Sequence, residues 1–415
     1  MEKIIVSGGK PLSGHIRVSG SKNAALPLIF ASLLVPGKTV LYNVPDIGDV
    51  GVALEIISSL GARIKREGEK LTIDASDLTY APPDPNLISK IRASTYLIGA
   101  SLARFGIADI GEFGGCNFSL RPVDFHLMAA EAMGAKIEGN RLRSSGLHGA
   151  KIHLPKPSVG ATINAAIMAA TADGEIEIFG YAKEPHVLCV LSFLSAIGAS
   201  VSVSDSSIKI KSATLRSAEF TVIGDMIEAG TYLAIALMTG GKITVSGVNP
   251  SELSAFTSSL IRMGCVIETE NDSITANSQI KNEAESKNIF INASPYPGFP
   301  TDLQPIIVPL LSVRGGGIVN DTVWRERFGY LESLSKMGLD YKVGNGCAHI
   351  YKSNLHSAAV TAPDLRGGMA ILMSALFADG VSEILSPEII LRGYDHLIEK
   401  LSSLGSDVKL IKKCK

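Results

Sequence analysis

The segment from Gly111 to Asp124 holds the side chains best suited to chemistry. It reads G-E-F-G-G-C-N-F-S-L-R-P-V-D, so Cys116 follows two glycines in a loop and Arg121 comes just before Pro122. Proline favours the first position of a helix, and a nearby cation and helix N-terminus lower the pKa of a cysteine. The pattern fits a reactive thiol beside an anion site. The plainer interpretation is a buried structural thiol beside a solvated charge.

Basic residues recur where helices are expected to begin. A single arginine at such a place is usually a surface charge, but cations that converge without an anion would repel one another. Arginine also suits bidentate contact with phosphate and carboxylate. The set that predicts a site for a multiply charged anion is Lys22, Arg92, Arg121, Arg327, Arg366 and Arg392.

Asp302, in F-P-T-D-L-Q, is the candidate general base. An aspartate among arginines stays ionised and can accept a proton from a substrate hydroxyl. Helix capping is the alternative role. Asp225 and Glu228 are expected to cap a helix, and the run Ser158–Thr162 could offer backbone N–H groups to a phosphate.

An internal repeat positions these residues. An apolar helical segment that ends on an aliphatic residue and a glycine recurs six times, at intervals of 64 to 74 residues. Each glycine is predicted to be a helix C-cap. The six are Gly61, Gly134, Gly198, Gly264, Gly338 and Gly405.

Each repeat is predicted to contain a strand, a helix, a second strand, a second helix and a hairpin. Six such repeats divide into two domains of three, with the helices either inside or outside the sheets. The candidate residues fall at helix N-termini, whose free N–H groups and dipoles favour anions. Two such faces opposed would form a cleft for a polyanionic ligand.

Composition sets the broad class of the protein. A chain of 415 residues with 46% hydrophobic and 19% charged residues favours two globular domains, and a formal charge of -1 favours neither nucleic acid nor a membrane surface. The five cysteines are widely spaced without a C-x-x-C pair, which predicts neither a disulfide framework nor a metal site. With no signal or membrane segment apparent, a cytoplasmic location is expected.

Several motifs together resemble the enolpyruvyl transferases, over the whole chain. They are S-G-S-K-N-A-A-L-P from Ser19, G-G-C and R-P-V-D-F-H ending at His126, P-G-F-P-T-D-L-Q from Pro297, D-L-R from Asp364 and R-G-Y from Arg392. The cysteine loop resembles the branch of the family that uses a nucleotide sugar.

The resemblance implies a fold and a reaction. The fold would be a two-domain inside-out α/β barrel, as in EPSP synthase, with helices inside. Residues 21–225 would form one domain and residues 1–20 with 226–415 the other, with the active site in the cleft between them. The reaction would move an enolpyruvyl group from phosphoenolpyruvate to the 3-hydroxyl of UDP-N-acetylglucosamine by addition and elimination, releasing phosphate, as the first committed step of peptidoglycan synthesis. No cofactor or metal is implied.

The resemblance also implies roles for single residues. Cys116 would protonate or hold phosphoenolpyruvate and would react with the epoxide fosfomycin, while Asp302 would accept the hydroxyl proton. Lys22 and Arg392 would assist catalysis. The phosphoenolpyruvate contacts would be Lys22, Asn23, Arg121, Arg327, Arg366 and Arg392. The nucleotide-sugar contacts would be Arg92, Arg121, Pro122, Val123, Asp124, Phe125, Lys156, Ser158, Val159, Gly160, Asp302 and Val323.

The chain departs from the family pattern near these anchors. Asn117, Phe118 and Ser119 replace a small residue, isoleucine and glycine, and Leu391 replaces an acidic residue. Two alternatives therefore remain: an enolpyruvyl transferase that uses another nucleotide or sugar hydroxyl, and a weakly catalytic paralogue that binds nucleotide sugar.

Overall fold

The computed structural model describes residues 2–114, 122–280 and 289–412. The chain forms two compact units. The N-terminal unit comprises Gly20–Ile223, and the C-terminal unit comprises Met1–Ser19 together with Gly224–Lys415. Within the described ranges, no helix is both long and apolar enough to cross a bilayer.

The first two strands belong to the C-terminal unit: β1 (Lys3–Ser7) and β2 (Gly14–Arg17). The elements of the N-terminal unit follow in chain order: α1 (Lys22–Ala31), β3 (Lys38–Tyr42), α2 (Gly48–Ser59), β4 (Arg63–Glu67), β5 (Lys70–Asp74), α3 (Pro85–Ile88), α4 (Tyr96–Phe105), β6 (Ile107–Asp109), α5 (Asp124–Ala132), β7 (Lys136–Glu138), β8 (Arg141–Arg143), β9 (His148–His153), α6 (Val159–Ala169), β10 (Asp173–Phe179), α7 (Pro185–Ala196), β11 (Ser200–Val203), β12 (Ser207–Lys211) and β13 (Ala218–Thr221).

The chain then returns to the C-terminal unit, whose remaining elements are α8 (Met226–Thr239), β14 (Lys242–Ser246), α9 (Ser254–Arg262), β15 (Cys265–Thr269), β16 (Ser273–Ile280), β17 (Phe290–Ala293), α10 (Gln304–Val313), β18 (Gly317–Asp321), α11 (Tyr330–Ser335), β19 (Tyr341–Gly344), β20 (Cys347–Ile350), β21 (Ala359–Thr361), α12 (Leu365–Phe377), β22 (Val381–Leu385), α13 (Glu388–Leu391), α14 (Leu397–Ser403) and β23 (Asp407–Ile411).

Each unit has three separate sheets. In the C-terminal unit their strand orders are β15-β16-β14-β2, β17-β18-β20-β19 and β21-β22-β1-β23, and in the N-terminal unit β13-β3-β5-β4, β6-β8-β7 and β11-β12-β10-β9. The five four-stranded sheets share one plan: a parallel pair joined to an antiparallel hairpin. In the described part of the chain the sheets stay separate and form no closed barrel.

Strand pairing shows how the repeats are interleaved. Strand β2 pairs in parallel with β14 in the C-terminal unit. The helix that follows β2 in sequence, α1, lies in the N-terminal unit with β3 and β13. Strand β1 pairs with β23, so the two ends of the chain build the sixth hairpin. The second repeat lacks its first strand, because residues 77–83 form no strand and its sheet has three strands.

The first helix of each repeat lies inside the sheets. In α8, α10 and α12 every residue but the last is buried, and the three helices pack against one another. A helix that is apolar on all sides is stable only when it is surrounded, so the sheets cover it. The prediction of two α/β units with helices inside is confirmed.

The six predicted C-cap glycines all adopt positive φ, between 79° and 122°. The residue after the glycine donates its N–H back to the helix, as in the bond from Ala62 to Ile57 and in that from Ala135 to Ala130. This arrangement is the Schellman motif, in which glycine avoids the steric cost of a left-handed conformation.

The two crossings between units also require glycine. A Cβ on Gly20 would lie 1.7 Å from the carbonyl oxygen of Asn43, and one on Gly224 would lie 1.9 Å from that of Gly247. Any larger residue would push the connecting segment away from its own unit.

The C-cap glycines generate a stability prediction. In Gly405→Ala the added Cβ meets no atom within 4 Å, so only the φ of +95° opposes it. We expect a loss of about 1–2 kcal/mol in the free energy of unfolding. The matched change Gly51→Ala, at an exposed site inside α2, also meets no atom but has ordinary helical φ, and should gain about 0.5–1 kcal/mol. Chemical denaturation measures both, and equal effects would contradict the account.

Candidate active site

One carboxylate and two guanidinium groups form a polar cluster in the C-terminal unit. We call Asp302, Arg327 and Arg366 the Asp302 cluster. The Oδ1 of Asp302 accepts from Nη1 of Arg327 at 2.8 Å, and its Oδ2 accepts from Nη2 and Nε of Arg366 at 3.1 and 3.3 Å. Both oxygens of Asp302 are thus occupied, and its side chain makes no helix-capping bond. The capping alternative is wrong.

A rigid turn presents Asp302. It lies in the 3-10 helix Thr301–Leu303, directly before α10. The hydroxyl of Thr301 donates to Asp321 Oδ2 at 2.6 Å, and the other oxygen of Asp321 accepts from the backbone N–H groups of Val323 and Trp324. Val323 is therefore held, half-buried, beside the same turn.

Arg366 is fixed on its other side by an aromatic ring. Its guanidinium carbon lies 5.2 Å from the ring centroid of Tyr394, and the Tyr394 hydroxyl lies 3.0 Å from that of Thr231. Arg366 is the second residue of α12 and is only 2% exposed. A buried cation at a helix N-terminus opposes the helix dipole, so helix stability does not account for it.

The charges of the cluster dominate its protonation. Burial alone would raise the pKa of Asp302, but the charges and hydrogen bonds of Arg327 and Arg366 outweigh burial and hold the pKa well below its usual range. Burial would lower the pKa of Arg366, yet Tyr394 and Asp302 raise it. The cluster is an ionised carboxylate between two permanent cations.

A comparable ion pair lies in the N-terminal unit. Lys22, the first residue of α1, places its Nζ 2.7 Å from Oδ2 of Asp49, which stands in the first turn of α2. Both residues are buried. A lysine at a helix start again opposes the dipole, as Arg366 does. Asn23 follows it and is half-buried.

A buried histidine organises the start of α6. Asn164 accepts the N–H of Gly99 with its Oδ1, so its amide nitrogen faces His126 Nδ1 at 2.6 Å and Thr95 O at 3.0 Å. Nδ1 of His126 is therefore the acceptor of a neutral ring. The ring lies against Gly160, where a Cβ would be 3.0 Å from it. His126 is a hydrogen-bonded packing residue.

The remaining nucleotide-sugar candidates of the N-terminal unit lie before or within α5 and α6, and before α4. Arg92 begins the 3-10 helix Arg92–Thr95. Ser158 caps α6 by accepting from the N–H of Ala161 at 3.4 Å. The others are Lys156, Val159, Pro122, Val123, Asp124 and Phe125, which lie before or within the first turns of α6 and α5.

Arg327 and Arg392 do not lie at the helix starts where they were predicted. Arg327 lies three residues before α11, and Arg392 follows the short helix α13, five residues before α14. In both repeats a turn precedes the second helix and shortens it, which the apolar pattern did not indicate.

The sequence did not predict a second buried cluster, which lies around Glu228. Glu228 was predicted to cap a helix, and that is wrong: it accepts from the Ser19 N–H at 2.8 Å and from Lys400 Nζ at 2.5 Å. Asp225 does cap α8, as predicted. Burial raises the pKa of Glu228 to about 7, against the opposing charge of Lys400. Ser19 and Lys400 are 381 residues apart, so no local pattern could have joined them.

Cys116 and Arg121 lie outside the described residues, as do Asn117, Phe118 and Ser119. Among the cysteines that are described, Cys189 and Cys265 are buried and Cys347 donates to Asn320. Among the described residues no three potential metal ligands come together.

Comparisons with known proteins identify relatives along the whole chain. The family described as EPSP synthase (3-phosphoshikimate 1-carboxyvinyltransferase) matches residues 6–401. A UDP-N-acetylglucosamine 1-carboxyvinyltransferase of Caldanaerobacter subterraneus subsp. tengcongensis is 40% identical, with 100% of both chains covered. One of Streptococcus agalactiae is 41% identical, again over 100% of both chains.

Solved structures support the fold. The enolpyruvyl transferase NikO from Streptomyces tendae superposes with a TM-score of 0.86 at 23% identity, over 100% of this chain and 99% of that one. An EPSP synthase from Acinetobacter baumannii gives a TM-score of 0.75 at 18% identity, over 99% of this chain and 100% of that one. At these identities the likeness concerns the fold alone.

The buried side chain of His126 should make the stability of the protein depend on pH. Burial lowers the pKa of His126 from 6.5 to about 4, helped by Arg92 and opposed by Asp124. The unfolded chain therefore binds this proton more readily, so stability falls as the pH drops from about 6.5 to about 4. At ~1.4 kcal/mol per pKa unit, the loss from this residue is about 3 kcal/mol.

Denaturation of wild type and His126→Gln at pH 7 and pH 4 measures this loss. The difference in unfolding free energy between the two proteins should shrink or reverse at pH 4, since the variant lacks the titrating group. His15→Gln, at an exposed site, is the control and should follow wild type at both pH values. A pH-independent difference for His126→Gln would refute the assignment.

Proposed function

The chain belongs to the EPSP synthase family, and on that premise we propose that it transfers the enolpyruvyl group of phosphoenolpyruvate to the 3-hydroxyl of UDP-N-acetylglucosamine. Phosphate is the second product. The reaction would take place in the cytoplasm as the first committed step of peptidoglycan synthesis. The two proposed domains are residues 21–225 and residues 1–20 with 226–415.

The observation that carries this proposal is the burial of cations at helix starts in both units. Lys22 and Arg366 are each placed where the helix dipole disfavours them, and each is held by a carboxylate. Burying a charge costs several kcal/mol, and an ion pair often returns no more than that cost, so stability alone does not explain these positions and a functional reason is needed. Binding a polyanionic substrate supplies one.

The proposed chemistry assigns the groups at the phosphoenolpyruvate end. Arg327 and Arg366 hold the carboxylate, while Lys22, Arg121 and Arg392 hold the phosphate and Asn23 orients the intermediate. Cys116 protonates the methylene carbon or holds the substrate covalently. The oxygen of the acceptor adds to the adjacent carbon as Asp302 takes the hydroxyl proton. Loss of a proton from the new methyl group and expulsion of phosphate then restore the double bond.

The proposed nucleotide end uses the N-terminal unit. The N–H groups at the start of α6, near Ser158, suit a diphosphate, because a helix N-terminus combines free donors with a favourable dipole. Arg92 and Lys156 add positive charge, and Arg121 with Pro122 stacks on the uracil. Val323 would contact the sugar from the C-terminal unit.

A second acceptor remains a candidate because of two sequence departures. Asn117–Ser119 and Leu391 differ from the usual family residues near the predicted phosphoenolpyruvate site. Leu391 packs against the core of the C-terminal unit, as an acidic residue would not. Another nucleotide or sugar hydroxyl is therefore the alternative acceptor.

Phosphate release distinguishes the acceptors. The purified protein is incubated with phosphoenolpyruvate and UDP-N-acetylglucosamine, UDP-glucose, uridine or N-acetylglucosamine, and phosphate is measured continuously. We expect release with UDP-N-acetylglucosamine and at least about a hundredfold slower release with the others, because each lacks contacts that the site provides. Release only with another acceptor would establish the alternative. Binding of UDP-N-acetylglucosamine without any release would favour a weakly catalytic paralogue.

The role of Cys116 is tested by covalent labelling. Fosfomycin should add to wild type once, and Cys116→Ser should not be labelled, because serine is not a nucleophile at its ordinary pKa. Intact-mass spectrometry measures the addition. Cys347→Ser, a change at a half-buried cysteine of the C-terminal unit, is the control and should be labelled like wild type. Labelling that persists in Cys116→Ser would exclude this cysteine.

A further inference from the structure

The two arginines of the Asp302 cluster already have an anion. Each oxygen of the Asp302 carboxylate pairs with a different guanidinium group, at 2.8 Å for Arg327 and 3.1 Å for Arg366. This is the geometry by which two arginines would bind the carboxylate of a small ligand. Asp302 therefore occupies the place that a substrate carboxylate would take.

The exposure of the three side chains shows from which side a ligand would arrive. The side chain of Asp302 is 28% exposed, whereas those of Arg327 and Arg366 are 5% and 3% exposed. The carboxylate thus lies outermost, over the two guanidinium groups. A ligand anion reaches the arginines only after Asp302 has moved aside.

The arginines themselves are fixed from behind. Arg327 donates a further bond to the carbonyl oxygen of Thr301 at 3.0 Å, and Arg366 stacks on Tyr394. Both would keep their positions when Asp302 leaves. The mobile partner of the cluster is the aspartate, whose side chain needs only a rotation about its χ angles.

We propose that Asp302 closes the carboxylate site of the substrate-free protein and that the carboxylate of phosphoenolpyruvate displaces it from Arg327 and Arg366. This inference rests on the proposed function and adds a substrate-dependent switch to it. The displaced Asp302 stays beside the bound substrate, where it can accept the proton of the acceptor hydroxyl.

The exchange explains how Asp302 can neutralise two arginines in the absence of substrate and act as a base when substrate is bound. A carboxylate held by two arginines is a weak base, because both cations hold its pKa well below the usual range. Displacement removes these contacts and places a substrate carboxylate close to Asp302, and both changes strengthen it as a base. In the absence of substrate, the same aspartate neutralises two buried cations.

The exchange predicts that removing the charge of Asp302 strengthens substrate binding. Substrate must compete with Asp302, so the apparent Kd is the intrinsic Kd divided by the fraction of protein in which the site is open. Asp302→Asn keeps the side-chain shape but removes the charge and one acceptor oxygen. We expect this variant to bind phosphoenolpyruvate at least about tenfold more tightly than wild type, while its turnover falls by about 10²- to 10⁴-fold.

Isothermal titration calorimetry with phosphoenolpyruvate measures the binding. Asp407→Asn is the matched control: it makes the same change of charge in the same unit, at a strand residue whose side chain is 44% exposed and is paired with Lys409 at 3.4 Å. Its affinity should equal that of wild type. Equal or weaker binding by Asp302→Asn would overturn the proposal, since Asp302 would then hold the arginines ready for substrate instead of competing with it.

A crystal structure of wild type with phosphoenolpyruvate tests the exchange without any variant. Substrate oxygens should lie within hydrogen-bond distance of Arg327 and Arg366, with neither arginine still bonded to Asp302. Persistence of both Asp302 bonds beside bound substrate would refute it. Failure of the proposed function is a separate result: phosphate release with UDP-N-acetylglucosamine would be absent, while tighter binding by Asp302→Asn would still be measurable.

Discussion

The structure depends on the neutralisation of buried cations at helix N-termini. Arg366 in the C-terminal unit and Lys22 in the N-terminal unit are both buried, and neither position favours a cation. Each is stable because a carboxylate from elsewhere in the same unit reaches it: Asp302 for Arg366 and Asp49 for Lys22. The helices that carry these cations are central to their units, so the ion pairs and the cores are built from the same elements. In the proposed function, a substrate anion would change this balance of charge.

The repeat explains why such positions recur. In the C-terminal unit the starts of α8, α10 and α12 lie together, since Asp225 and Asp302 both act on Arg366. A C-cap glycine ends the second helix of each repeat before the hairpin. The buried helices cannot tilt without disturbing the surrounding sheets, because protein interiors are close-packed. A side chain at a helix start is therefore held in place by the whole unit. Thr301 and Asp321 add local support to the turn that carries Asp302, and Tyr394 supports the side chain of Arg366.

The sequence was most informative where one residue type has one physical role. A glycine after an aliphatic residue predicted the left-handed C-cap correctly at all six sites, because glycine alone takes that conformation at little cost. The pairing of β1 with β23 joins residues at least 400 positions apart, and the cluster around Glu228 joins residues up to 381 positions apart. Periodicity within a window contains no signal for such contacts. The sequence predicted that Asp302 lies among arginines, but it did not predict that both of its oxygens are bonded to them. Arg327 and Arg366 are 25 and 64 residues away, and a motif contains no information about side-chain geometry over such separations.

The proposed function requires that Asp302 accept the proton of the acceptor hydroxyl of UDP-N-acetylglucosamine. A crystal structure of the protein with this nucleotide sugar and phosphoenolpyruvate, trapped as an Asp302→Asn complex, tests it most directly. We expect the sugar 3-hydroxyl to lie within about 3 Å of the side chain at position 302, with the uridine diphosphate at the start of α6. A complex in which the 3-hydroxyl faces away from position 302, or in which another hydroxyl takes its place, would contradict it.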